Sequence, residues 1–148
     1  PVTDSGATWS PNTITYSDNN RTHMIRVPGS GRFELRLMDG ATNPYLLQAG
    51  IIAAGIDGLE NNRNPGKPSF LNMYAEAHKA KGAKKLPKNL ETALSHLSKS
   101  KVMNKAFSKE TINSYVKLRS LDIKDFQKSK DAKKKGITDW EKLNTLDC

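Results

Sequence analysis

Between residues 12 and 39 apolar and polar side chains alternate with a period of two. After Asn43 that alternation stops and helical spacing takes over. The change of period constrains the chain more than any other feature, because a segment patterned for one geometry cannot bury its apolar face in the other. Three strand-like runs, "NTITYS", "THMIRVP" and "RFELRLMD", are separated by the turn-forming "DNN" and "PGSG". Helical patterns follow, so the expected class is α+β, with a three-stranded antiparallel segment leading a helical C-terminal region.

Local chemistry sets the expected helix ends. Asn43 is placed to cap a helix over residues 44 to 60, with Pro44 at its first position, where a missing N–H costs nothing. Gly50, Ala54 and Gly58 recur every four residues along it, which predicts a buried packing helix. Residues 61 to 68 read as a loop, with a short helix near residues 70 to 81. Asn89 caps a helix carrying Leu90, Ala93, Leu94 and Leu97, and Ser108 caps a longer one carrying Ile112, Tyr115, Val116, Arg119, Ile123 and Phe126. "TDWE" offers a capping box from Thr138 to Glu141, with Trp140 as the anchor of the last helix. No internal repeat is present.

The 148 residues carry a net charge of +9, unevenly spread. Residues 1 to 58 hold four arginines, no lysine and five acids; residues 59 to 148 hold eighteen lysines, two arginines and ten acids. Arginine offers a planar fork for phosphate and carboxylate, where lysine offers a flexible point charge. The lysine runs at 78 to 85 and 128 to 136 fit a solvated helix face. A nucleic-acid contact is the alternative, but no aromatic stacking residues are interleaved with them. The single cysteine, Cys148, gives no disulfide framework, which points to a reducing, cytoplasmic setting. The apolar run from Tyr45 to Ile56 is too short to span a bilayer. The sequence opens at Pro1, and part of a longer protein is one reading of that start.

The charge pattern of "GRFELRLMDG" concentrates the chemistry. On a strand Arg32, Glu34 and Arg36 share one face over about 13 Å, while Phe33, Leu35 and Leu37 share the other and fix the strand from behind. Arg21 and Arg26 lie on the preceding segment. Their odd spacing requires a bulge or a strand end near residues 23 to 25 if both are to face the same region. A solvated face of ion pairs is one reading; a polyanion site with a metal beside Glu34 is the other. His23 is expected to be packed or hydrogen-bonded, and His78 and His96 to lie on helix surfaces.

The segments "NNRTHMIRVPG", "RFELRLMDGATNPYLLQAGIIAAGIDGLENN", "NPGKP" and "TDWEKLNTLDC" resemble the C-terminal part of the glutamine synthetase catalytic domain. The likeness covers almost the whole chain and points to the branch with type III-like and γ-glutamylmethylamide synthetases. It implies an ATP-dependent ligase that makes a γ-glutamyl amide from glutamate and ammonia through a γ-glutamyl phosphate, with methylamine or another alkylamine as the alternative acceptor. It also implies Mg²⁺ or Mn²⁺ and a ring homo-oligomer. The residues implied are Glu34 as a metal ligand, Arg36 for a glutamate carboxylate, Arg26 and Arg32 for ATP phosphates, and Arg21 for the phosphoryl group in transfer. Neither nucleic acid nor membrane is an expected partner.

The sequence departs from the enteric pattern at several points. Trp9 stands where those relatives carry a flap glutamate, which makes an alkylamine acceptor credible beside ammonia. Val2 or Thr3 stands where they carry a glutamate-binding arginine, and Gly29 where some carry a phosphate-binding lysine. Tyr74 falls where enteric relatives are adenylylated, though its flanking residues differ. The further metal-binding carboxylates belong to an upstream half of the barrel, so the expectation is one catalytic-domain portion over residues 1 to 148, not competent alone. A non-catalytic assembly remnant is the remaining alternative.

Overall fold

The computed structural model describes residues 10–134 and 136–145. Val2, Thr3, Trp9, Lys135 and Cys148 lie outside them. The described residues group into two compact units, one from 10–39 and 65–87, the other from 40–64, 88–134 and 136–145.

The first unit contains a three-stranded sheet in the order β1 (Tyr16–Ser17), β2 (Ile25–Gly29), β3 (Arg32–Leu35). β2 and β3 form the expected antiparallel hairpin, closed by Ser30 and by Gly31 at φ 72°. That positive φ is open to glycine without a Cβ clash. The register slips by one residue between Arg26 and Gly29. This irregularity accommodates Pro28, which has no N–H to donate to a regular ladder. The pairing of β1 with β2 corrects the antiparallel expectation: it is parallel, Tyr16 opposite Ile25 and Ser17 opposite Arg26.

Parallel strands usually need a long crossover. Here the seven-residue connection 18–24 suffices because it is held from outside the sheet. His23 is fully buried. Its Nε2 lies 2.9 Å from the Leu71 carbonyl and its Nδ1 2.9 Å from the Thr15 hydroxyl. A carbonyl only accepts, so Nε2 carries the hydrogen and donates to Leu71, while Nδ1 and the Thr15 hydroxyl form a second hydrogen bond. Asn20 donates from Nδ2 to the same Leu71 carbonyl, and Thr22 Oγ1 accepts from the Met73 amide at 2.9 Å. Residues 12–14 pair with 84–86 through Ile14 N to Lys84 O and Leu86 N to Asn12 O. A four-residue helix α2 (Met73–Glu76), capped by Asn72, runs into a 3₁₀ turn over Ala77–Lys79. Met73, His23, Ser17 and Thr13 form the buried centre.

The second unit is helical: α1 (Pro44–Glu60), α3 (Leu90–Lys99), α4 (Lys101–Phe107), α5 (Lys109–Lys128) and α6 (Asp139–Asn144). Asn43, Asn89 and Ser108 cap α1, α3 and α5 as expected, and Thr138 with Glu141 closes the capping box of α6. α4 is not anticipated from the sequence. Ser100 both ends α3 and caps α4, accepting from Met103 N. α3 packs on α4 and α5, and α4 on α1 and α5, around buried Leu94 and Ile112.

Trp140 anchors α6. Its ring meets Phe126 edge-on at 5.3 Å, its Nε1 donates to Asp125 at 2.8 Å, and its backbone N–H donates to buried Asp131 at 2.9 Å. α1 departs from expectation: no residue along it is buried, and a Cβ added at Gly50 or Gly58 would meet nothing within 4 Å. No helix among the described residues is long and apolar enough to cross a membrane.

Candidate active-site wall on the sheet

Local folding brings most of the candidate residues together. β2 begins only at Ile25, and residues 21–24 form turns and bends. This strand end resolves the odd spacing of Arg21 and Arg26. Across the hairpin Arg26 stands opposite Glu34, where cross-strand side chains lie on one face. Arg26 Nη1 donates to Glu34 Oε2 at 2.7 Å. The rest of the Arg26 fork is held by Asn19, whose Oδ1 accepts from Nε at 2.9 Å and also from Nη2. Asn19 escapes a sequence reading because nothing in "DNN" separates a turn residue from one that orients an arginine.

Arg36 lies one residue beyond β3 and donates its amide to the Met24 carbonyl at 2.9 Å. Its guanidinium has a buried Nη1 that makes no hydrogen bond. The hydrogen bond from Arg26 is the largest influence holding the Glu34 carboxyl below its ordinary range. Desolvation opposes it, and the charges of Arg26, Arg36 and Arg21 add to it. Glu34 thus sits in the combined field of three of the four predicted arginines. Arg32 stands apart from that trio, at the hairpin end opposite Gly29.

The opposite face departs from expectation. Phe33 is 60% exposed and Leu37 is also exposed, and only Leu35 between them is half-buried. His23 is a packed structural histidine, as predicted, and Tyr74 is half-exposed at the start of α2.

A cluster of cations around one ionised carboxylate can grip phosphate or carboxylate oxygens through arginine forks. It does not complete a metal site. A divalent cation of the Mg²⁺ or Ca²⁺ kind takes about six oxygen ligands. Among the described residues no group of three or more His, Cys, Asp or Glu side chains comes together. Glu34 could supply only one carboxylate, and no step is derived through a metal.

Residues 5–141 match the sequence model of the family described as glutamine synthetase, catalytic domain. The chain belongs to the glutamine synthetase family. It is 50% identical over 147 residues to a glutamine synthetase of Rhizobium leguminosarum bv. phaseoli, covering 99% of this chain and 32% of that protein. It is 39% identical over 140 residues to a glutamate–methylamine ligase of Methyloversatilis universalis, covering 93% and 30%. A solved GmaS/ADP complex superposes with a TM-score of 0.79 at 45% identity, over 100% of this chain and 32% of that one. The chain thus spans about a third of the length of these relatives.

Proposed function

We propose that this chain forms one wall of the active site of an ATP-dependent ligase that joins glutamate to an amine. The observation that carries the reading is the Arg21, Arg26 and Arg36 field around ionised Glu34, with a buried Arg36 nitrogen lacking an acceptor. In the proposed reaction a side-chain carboxylate oxygen of glutamate attacks the terminal phosphorus of ATP, and ADP leaves. The amine nitrogen then attacks the acyl carbon, phosphate leaves, and the nitrogen loses a proton to give the amide.

Each residue has a part in that sequence. Arg36 fits a substrate carboxylate, because its planar fork has a donor to spare. Arg26 and Arg32 offer cations to the ATP phosphates; Arg26 is already held by Asn19 and Glu34, so it is a preoriented charge. Arg21 neutralises charge developing on the phosphoryl group, a task for fixed cations in a water-poor site. Glu34 holds Arg26 in place and offers a single carboxylate to a divalent ion whose other ligands lie elsewhere. Ammonia is the first acceptor proposed. Methylamine is the second, supported by likeness to a methylamine ligase and to GmaS structures. A cytoplasmic ring homo-oligomer belongs to the same proposal.

The test joins this chain to the remaining two-thirds of a glutamine synthetase polypeptide. Phosphate release is then measured with glutamate plus ammonia or methylamine. Arg36→Ala is expected to lower turnover on the order of 100-fold or more, the usual cost of losing a preorganised charge-stabilising donor. Unchanged turnover in Arg36→Ala and Glu34→Gln would remove the site assignment.

A further inference from the structure

Arg26 is a largely buried cation whose direction is set from two sides. Its side chain is 13% exposed. Glu34 takes one N–H of Nη1, and Asn19 Oδ1 takes the N–H of Nε at 2.9 Å together with one N–H of Nη2. A guanidinium carries five N–H donors, and with three engaged two stay open to an incoming oxygen. The two anchors differ in charge. Glu34 cancels positive charge, whereas the amide of Asn19 orients the fork and leaves its charge in place. An acid stands one position away and is not used for this. Asp18 Oδ1 accepts instead from Ser17 Oγ at 3.2 Å, and no ion pair joins Asp18 to Arg26 among the described residues.

The backbone holds Asn19 where it can do this. The Asp18 carbonyl accepts from Val27 N at 3.0 Å and from Asn20 N at 2.8 Å, and Ser17 stands opposite Arg26 in the register of β1 with β2. Asn20 Nδ2 donates to the Leu71 carbonyl at 3.0 Å, and its Oδ1 accepts from Thr22 N and Thr22 Oγ1. Asn19 thus sits between two pinned residues, while it is itself exposed and outside the buried centre. An aspartate there would keep the acceptor but set two carboxylates against one guanidinium. We propose that Asn19 is a positioning residue for ATP, a neutral acceptor that fixes the Arg26 fork for the phosphates without cancelling the charge that attracts them. The proposal rests on the reading of Arg26 as a phosphate-binding arginine.

The experiment joins the chain to the part of the Rhizobium leguminosarum relative that it does not match and measures ATP affinity by isothermal titration with Mg²⁺ present. Asn19→Ala should weaken ATP binding about tenfold, the scale of a lost hydrogen bond to a charged group. Asn19→Asp is nearly isosteric, so the urea midpoint should hold while ATP binding weakens on the order of tenfold or more. A residue that merely held Arg26 in place would be replaced by aspartate without loss. Glutamate affinity, titrated in the same way, should not move in either variant. In an Arg26→Ala background Asn19→Ala should have no further effect, because the two act as one unit. The idea is overturned if Asn19→Asp binds ATP like the unsubstituted protein, or if Asn19→Ala weakens ATP equally with and without Arg26. It is equally overturned if glutamate affinity falls as far as ATP affinity does. Phosphate release is read separately. If the unsubstituted protein binds ATP but releases no phosphate with either amine, the ligase reading falls and the titrations still decide the role of Asn19. If it binds no ATP, both fall.

Discussion

The two units solve the same problem with different materials. Among the described residues of the sheet unit the buried centre is mostly polar, with His23, Thr13 and Ser17 beside the apolar Met73 and Pro11. In the helical unit Leu94 and Ile112 supply an apolar centre, and the buried polar groups Asp131 and Thr138 are confined to the α5–α6 corner. The difference tracks what each unit must position. Hydrogen bonds are directional, so a network through His23, Asn20 and Thr22 sets the path of the segment that carries Arg21 and leads to Arg26. Apolar contact is not directional, and the helical unit relies on caps to define where each helix stops.

Substitution at the centre of the sheet unit should therefore have the largest effect. His23→Ala leaves the Thr15 hydroxyl without its ring partner, takes one donor from the Leu71 carbonyl, and opens a cavity. We expect a loss of about 3 kcal/mol in urea unfolding. In the helical unit, Trp140→Phe keeps a ring against Phe126 and removes only the Nε1 bond to Asp125. The expected loss is about 1 kcal/mol. Equal losses would erase the contrast between a polar interior and a peripheral anchor.

Much of the helical unit was legible because its ends are written in adjacent residues. Asn43, Asn89, Ser108 and the Thr138–Glu141 pair each act within a few positions of themselves. α4 was not, since one residue, Ser100, closes one helix and opens the next. In the sheet unit the strands and the strand end before Ile25 could be read from alternation and spacing. The parallel pairing of β1 and β2 could not, because it depends on bonds from His23 and Asn20 to Leu71, 48 and 51 residues away. Arg26, Glu34 and their register were visible; Asn19 as the second anchor of Arg26 was not. Nor could the sequence tell that α1 would keep an uncovered face, since periodicity shows what a helix is patterned to bury and not what supplies the cover.

A cap can be tested with a change of opposite sign. Ser108 sits at φ 63°, ψ 151°, a region populated almost solely by glycine and costing other residues about 1–3 kcal/mol. Its hydroxyl repays part of this by accepting from Thr111 N at 3.3 Å. Glycine at this cap position forfeits only a few tenths of a kcal/mol. Ser108→Gly should thus raise stability by about 1 kcal/mol, read as a higher urea midpoint at unchanged slope. A loss would mean that the capping bond outweighs the strain.

The α5–α6 corner should respond to acid. The Lys134 ammonium, 2.6 Å from Asp131 Oδ1 as an ion pair without hydrogen-bond alignment, is the largest influence lowering the Asp131 carboxyl below its ordinary value of 3.8. The Trp140 backbone N–H adds to it, as does the charge of Lys130, while burial opposes both. A carboxyl lowered in the folded state contributes stability that is present above about pH 3.8 and lost as pH falls through the lower folded value. In a Trp9→Phe background, Trp140 fluorescence should report α6 loosening below that pH. Asp131→Asn should flatten that part of the profile. A profile identical in both chains would show that another group controls the corner.

The smallest expected effect on stability lies at the site itself. Glu34 is exposed, and although the Arg26 side chain is largely buried it keeps its Asn19 partner when the carboxylate loses its charge, so a pair open to solvent on the Glu34 side contributes little after screening and side-chain ordering. Glu34→Gln keeps the shape and removes the charge, so the urea midpoint should not move measurably, even though the same change is expected to abolish turnover in the joined polypeptide. His23→Ala should do the reverse in kind, lowering stability first and activity only through the displaced loop. If Glu34→Gln instead lowers the midpoint as far as Trp140→Phe does, the arginine field is part of what holds the sheet together. The separation between residues that position the site and residues that form it would then fail.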